Sequence, residues 1–311
     1  DHEKAFLKAL AKAPLDAATR IALQDRFGPL RTGSRPRTGG MAVRDLNGLV
    51  GAIRAGRHAE AERLALAGLK KHPQSAVAAN ILGTALSAQG RLGAAQNAFQ
   101  AALRIDPRYA EAYENLGRMF LDHNRLDQAA SALKRAVILA PGMPSALINL
   151  GDAHTRAGLP RAAFPVLLLA ERTDPSSVPV KVALANAYVA AHNAEKADEY
   201  FEKAAALSRD PLPSQVRTSQ AMMKSRLGLD EEAYAILESV LKTDPENAAA
   251  LGGMGELLQS LGRFDEASVY FEKTMERMPD KGDTYCMYVS SNMIRTGEPL
   301  IGKMICIYEK P

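Results

Sequence analysis

The chain has 311 residues, of which 47% are hydrophobic, 24% charged and 5% aromatic, with a formal net charge of +4, two cysteines and no tryptophan. This is too apolar and too weakly charged for a disordered chain, two cysteines cannot staple a fold of this length, and no apolar run reaches the ~18 residues of a membrane span. Residues 1–40 hold eight Lys/Arg and four Asp/Glu, so the other 271 balance at 31 and 31, and no nucleic-acid partner is expected of a body without a basic excess.

The start, Asp1-His2-Glu3-Lys4, is charged and no apolar run follows it. It carries no secretory signal pattern, and the cytoplasm is the expected compartment. Residues 1–27 read as an N-terminal helical segment, Glu3–Ala13 and Asp16–Phe27, broken at Pro14 with Asp16 placed to cap the second helix. Residues 28–41, rich in Gly, Pro and Arg, read as a flexible basic linker.

From residue 42 a period appears. Pro73, Pro107, Pro141 and Pro175 stand 34 apart, as do Pro245 and Pro279. The 70 residues from Pro175 to Pro245 are two periods plus a two-residue insertion near Arg209-Asp210-Pro211. A small residue recurs at Ala61, Ala95, Ala129, Ala163, Ala197, Ala233 and Ala267. A larger apolar one follows four positions later at Phe99, Leu133, Leu167, Phe201, Leu237 and Phe271. Leu82-Gly83, Leu116-Gly117, Leu150-Gly151 and Met254-Gly255 mark four of the first helices, and Gly56, Gly90, Asn124, Gly158, Gly228 and Gly262 mark turns where left-handed backbone is cheap.

Three departures are local. Gly48-Leu49 inverts the Leu-Gly pair, which predicts a register shift in the first helix. Gln220-Ala221 and Lys224 fill apolar slots, so the helix over 213–226 is expected to pack less well. Pro165 lies inside a helix and is expected to kink it. After the period, residues 280–311 read as an eighth first helix (283–295) and an apolar C-terminal helix (299–309). That helix is apolar nearly all round, and its expected cover is the last repeat, a homodimer partner or a downstream domain.

A 34-residue helix–turn–helix period with these positions resembles the tetratricopeptide repeat (TPR) family across residues 42–279, in seven repeats. The resemblance implies an all-α, right-handed α-solenoid superhelix whose first helices line a concave groove. The stretch Tyr285–Met304 also resembles the connector of bacterial TPR–sulfotransferase fusions, whose phosphosulfate-binding loop this chain lacks.

Motifs for catalysis are missing: there is no GxxxxGK[ST], GxGxxG, GxSxG or HExxH. No catalytic residue, cofactor or metal is expected. The stronger constellation lies on the first helices. Asn47, Asn115 and Asn149 occupy the slot before Leu-Gly, with Asn80 and Asn186 close to it. An amide both donates and accepts, so such a column can pair with an extended peptide backbone, similar to the asparagine ladder of O-GlcNAc transferase. Glu114, Arg118, Asp122, Asp152 and Arg156 share that face and would add selectivity. The expected function is a non-catalytic scaffold binding a peptide or protein segment in the concave groove; the alternative is the substrate-binding N-terminal arm of a TPR-containing sulfotransferase.

Overall fold

A computed structural model of the protein describes residues 37–277. These residues hold fourteen α-helices and no strand. The chain divides into two compact units, residues 1–176 and 177–311.

The first unit contains α1 (Val43–Arg54), α2 (His58–Lys71), α3 (Ala76–Ala88), α4 (Leu92–Ile105), α5 (Ala110–Asp122), α6 (Leu126–Leu139), α7 (Pro144–Arg156) and α8 (Pro160–Thr173). The second contains α9 (Val178–Ala190), α10 (Ala194–Leu207), α11 (Ser214–Arg226), α12 (Asp230–Thr243), α13 (Ala248–Ser260) and α14 (Phe264–Arg277). Helices of 12–14 residues are marginal alone. Each gains its stability by burying one face against its neighbours. The odd-numbered helix of each pair is called A and the even-numbered one B.

The pairing rests on a notch and a knob. A Cβ on Gly83 would lie 2.6 Å from the Phe99 ring, and one on Gly117 would lie 2.5 Å from Leu133 Cγ. Gly151 with Leu167 and Gly255 with Phe271 repeat the arrangement. The knobs are fully buried. In the first repeat the sizes are exchanged: Leu49 takes the notch position and Ala65 the knob position, and both are buried in one cluster. The register shift expected from Gly48-Leu49 therefore does not occur, because the summed volume at the contact is kept.

The A-to-B turns use positive φ, at Gly in five repeats and at Asn124 (56°) and His192 (57°) in the other two. α8 runs unbroken through Pro165. Within a helix a proline removes one backbone bond, and here five buried residues of the same helix (Ala163, Val166, Leu167, Leu169 and Ala170) hold it in place. Residues 37–41 are held against the first loops. Arg37 O accepts from Ala76 N at 2.8 Å, Arg37 N donates to Asp106 Oδ2 at 3.3 Å, and Met41 is buried over Gly68. Gly39 is doubly required, by a φ of +63° and by Gln74 backbone 2.6 Å from where a Cβ would sit.

In the first unit each A helix packs on the next A helix (α1 on α3, α3 on α5, α5 on α7), while no two B helices pack comparably. The A helices therefore line the inner side of this unit. In the second unit α11 packs on α13 in the same way, but α9 does not pack comparably on α11. The link from α10 to α11 covers residues 208–213, two residues longer than the four-residue links elsewhere.

At that junction lies Lys224, 5% exposed. Its Nζ is 3.2 Å from Asp198 and 3.0 Å from Glu202, both on α10, and 2.9 Å from Glu232 on α12. Gln220 Nε2 donates to Glu202 Oε1 at 2.9 Å. Burial works against the ammonium, but the three carboxylates overcome it and hold the Lys224 pKa well above the ordinary lysine value. α11 packs less extensively on α12 than the A helices of the neighbouring repeats pack on theirs, as its polar residues predict. It is tied to α10 and α12 by paired polar groups.

Candidate functional site

Two adjacent positions on each A helix decide what the inner face of the first unit presents. The residue before the Leu-Gly pair is Asn47, Ile81, Asn115 or Asn149; its predecessor is Leu46, Asn80, Glu114 or Ile148. The column drawn from sequence joins residues 34 apart. The bonds instead join residues 35 apart: Asn115 Nδ2 donates to Asn80 Oδ1 at 3.1 Å, and Asn149 Nδ2 donates to Glu114 Oε1 at 2.8 Å. The side chain of one repeat leans onto the preceding position of the repeat before it. Between repeats one and two the same positions are Ile81 and Leu46, which join a single apolar cluster.

The network extends at both ends. Asn80, 6% exposed, donates to Tyr109 Oη at 3.3 Å, and Arg118 Nη2 donates to Asn115 Oδ1 at 3.4 Å. Burial pushes the Tyr109 phenol up to about 12, with the Asn80 bond working against it. Asn47 is exposed, and Asn186 sits half-buried on α9 of the second unit; among the described residues neither has a side-chain hydrogen bond. The structure therefore joins Asn80, Glu114, Asn115, Arg118 and Asn149, and leaves Asn47 and Asn186 out of that network.

The charged residues follow the same face. Burial raises the Glu114 pKa above the usual carboxylate value; Arg118 and the Asn149 bond oppose it, and Glu111 adds to it. Burial raises Asp152 too, against Arg156 at 3.7 Å, with the Asp122 charge adding to the rise. Arg156 Nη2 also donates to Asn124 Oδ1 at 3.1 Å, and Arg118 and Asp122 are exposed. Four carboxylates (Glu111, Glu114, Asp122, Asp152) face two guanidiniums (Arg118, Arg156) on α5 and α7. Two of those carboxylates are held where ionisation is disfavoured, a state that an incoming cation relieves.

His154 stands on an apolar slot of α7 and is buried there. Among the described residues no group of three His, Cys, Asp or Glu is placed to hold a metal ion, and no helix is long and apolar enough to cross a membrane. The N-terminal segment, Cys286 and Cys306, the sulfotransferase-like stretch 285–304 and the apolar helix 299–309 with its expected dimer or downstream-domain contact lie outside the described residues.

Family models of the tetratricopeptide repeat match residues 51–95, 82–144 and 120–178, then 178–211, and then 231–284. Comparison with curated proteins gives no match. Among solved structures, the chain is similar to one in the Cut9–Hcn1 hetero-tetramer of the APC/C, with TM-score 0.69 and 16% identity over 78% of this chain and 48% of that one. It thus spans about half the length of that relative. A tetratricopeptide repeat protein from Parabacteroides merdae aligns with TM-score 0.63 and 17% identity, covering 80% of this chain and 98% of that one. PilF of Pseudomonas aeruginosa aligns with TM-score 0.59 and 17% identity, covering 67% and 93%. At these identities the likeness is one of fold.

Proposed function

Because the chain belongs to the tetratricopeptide repeat family, whose fold is that of a non-catalytic protein-interaction scaffold, we propose that its inner face on α3, α5 and α7 binds an extended segment of a partner protein. The observation that carries this reading is the pair of slanted bonds, Asn115 to Asn80 and Asn149 to Glu114. Each bond uses one N–H of an amide that has two, and fixes the side chain in one orientation. The remaining N–H and carbonyl lone pairs then meet a peptide unit without first losing rotamer freedom. The carboxylate majority on the same face favours a segment that brings Lys or Arg beside Glu114 and Asp152.

The test is capture from a native lysate by the wild type and by Asn115→Ala/Asn149→Ala, with helicity compared by circular dichroism. Loss of a captured partner at unchanged helicity is the expected result. Equal capture by both proteins would remove the amides from the binding surface. A second arm replaces Glu114 and Asp152 by Gln and Asn. It is expected to weaken capture of a basic segment, and that weakening is expected to shrink at high salt, where the charge contribution is screened in any case.

A further inference from the structure

α1 has no described repeat before it, and its outer side is built differently from those of the A helices that follow. Ala78, Ala112 and Ala146 share one slot of α3, α5 and α7, and all three are fully buried. Ala78 packs in one cluster with Ala61 and Ala65 of the repeat before it. At that slot α1 carries Arg44, which is exposed. Four positions on, α3, α5 and α7 carry Leu82, Leu116 and Leu150, half-buried or buried, and α1 carries Gly48. With Leu49 where repeats two to four have glycine, α1 also lies less closely on α2 than their A helices lie on their B helices.

A groove of about 310 Å³ opens there between α1 and α2. Met41 and Leu49, both buried, and the half-buried Leu64 and Gly68 make it apolar. A Cβ on Gly48 would meet nothing within 4 Å, so this glycine leaves open the volume that a leucine takes in the next three repeats. Asn47, on the inner face of α1, is not part of the lining. The rim holds Arg44 and Lys71, both exposed, and His72, whose Nδ1 lies 3.3 Å from Gly39 O; its one carboxylate is Asp45. Among the described residues the Arg44 and Lys71 side chains have no hydrogen-bond or ion-pair partner, nor have Arg63 and Lys70, four positions before and three after Ala67 of the lining. Both acids of α2 are engaged elsewhere, Glu60 by Arg57 at 2.9 Å and Glu62 by Arg91 at 2.6 Å.

We propose that this groove seats an acidic segment of a partner protein, with one large apolar side chain in the slot left by Gly48 and carboxylates on Arg44 and Lys71. The open apolar slot selects the first group, and cations that outnumber the single carboxylate select the second by charge complementarity. A nucleic acid would use the cations and leave the slot empty. Residues 1–36 of the same chain carry seven Lys/Arg against four Asp/Glu, the sign of the rim itself, so charge turns that segment away. The proposal does not rest on the amide network of α3, α5 and α7.

The experiment uses the full chain with ¹³C-methyl-labelled methionine, the Met41 signal being assigned through Met41→Leu. The probe is the end-blocked peptide Glu-Glu-Leu-Glu-Glu, with Gln-Gln-Leu-Gln-Gln and Glu-Glu-Ala-Glu-Glu as its counterparts. Saturable movement of the Met41 methyl is expected with the probe. The Gln peptide is expected to bind about threefold to fivefold more weakly, the range of exposed ion pairs. The Ala peptide, which loses most of the side chain in the slot, is expected to bind about tenfold more weakly. Arg44→Gln/Lys71→Gln should bring the two leucine peptides to equal affinity without removing either. Gly48→Leu refills the slot from within. It should abolish binding of both while the thermal midpoint stays or rises, which tells an occupied slot from a misfolded one. Asn115→Ala/Asn149→Ala is expected to change none of this, which separates failure of this site from failure of the α3–α7 face. A still Met41 signal, equal binding of the Leu and Ala peptides, a charge preference that survives Arg44→Gln/Lys71→Gln, or binding that survives Gly48→Leu would each overturn the proposal. So would movement driven by protein concentration alone (a second copy as occupant), or binding seen only after residues 1–36 are deleted (the chain's own segment as occupant).

Discussion

The junctions of repeats two to four and the junction of repeats five and six join similar helices by opposite means. In the first unit A helix packs on A helix, and repeats two to four are each closed by a knob in a glycine notch. Between repeats five and six, two extra residues in the link accompany the loss of close A-to-A packing, and a buried lysine with three carboxylates ties α10, α11 and α12 together. Apolar knobs depend on shape and are insensitive to pH. A charge cluster depends on its shared buried member, because removing Lys224 leaves the largely buried Asp198 without its cation.

Four measurements would break or sharpen this contrast, in descending order of expected effect. Phe99→Ala empties a fully buried knob and should destabilise the first unit by about 3–5 kcal/mol in urea unfolding. Lys224→Met should destabilise the second unit by about 2–3 kcal/mol, less than for a fully buried pair because Glu202 and Glu232 keep more than half of their side-chain surface exposed. Hydrogen exchange should locate the loss in α10–α12; a uniform rise in exchange across all fourteen helices would contradict a local joint. Gly117→Ala drives a Cβ into Leu133 and should cost about 1–3 kcal/mol, whereas Gly252→Ala should be neutral or stabilising. Glu114→Gln should shift stability least, by about 0.5 kcal/mol or less, and upward at neutral pH.

The pH dependence separates the two regions by pH window, not by sign. Glu114 and Asp152 have folded pKa values above their ordinary ones, so their contribution is most favourable below the usual carboxylate range and declines as pH rises through the raised values. Lys224 is also raised, but its contribution is fully present below the ordinary lysine pKa and is lost only as pH climbs through the higher folded value. An alkaline titration monitored at α11 should therefore report the Lys224 joint, and a mildly acidic one the α5–α7 face. Replacing Glu114 by Gln should flatten the second of these and leave the first untouched.

The residues read from sequence as one column meet only in part, and for a definite reason. Asn115 and Asn149 share a slot, and both belong to the network. Their acceptors, Asn80 and Glu114, lie one position off the period, because each side chain leans onto the preceding repeat. A pattern read strictly at 34 residues places Asn47 in the column with Asn115 and Asn149, leaves Asn80 and Asn186 only near it, and gives no hint that Asn115 and Asn149 are already bonded.

The period of prolines, alanines and turn glycines by itself determined the class of fold and the helix pairs, since each of these follows from local geometry repeated at fixed spacing; which helix of each pair faces inward came only from the resemblance. Whether Gly48-Leu49 shifts a helix or only exchanges volumes with Ala65, whether Lys224 weakens α11 or anchors it, and which amides meet across neighbouring repeats were decided only by tertiary structure. Each of those outcomes depends on what a side chain finds opposite it on another helix, and spacing along one chain does not record that.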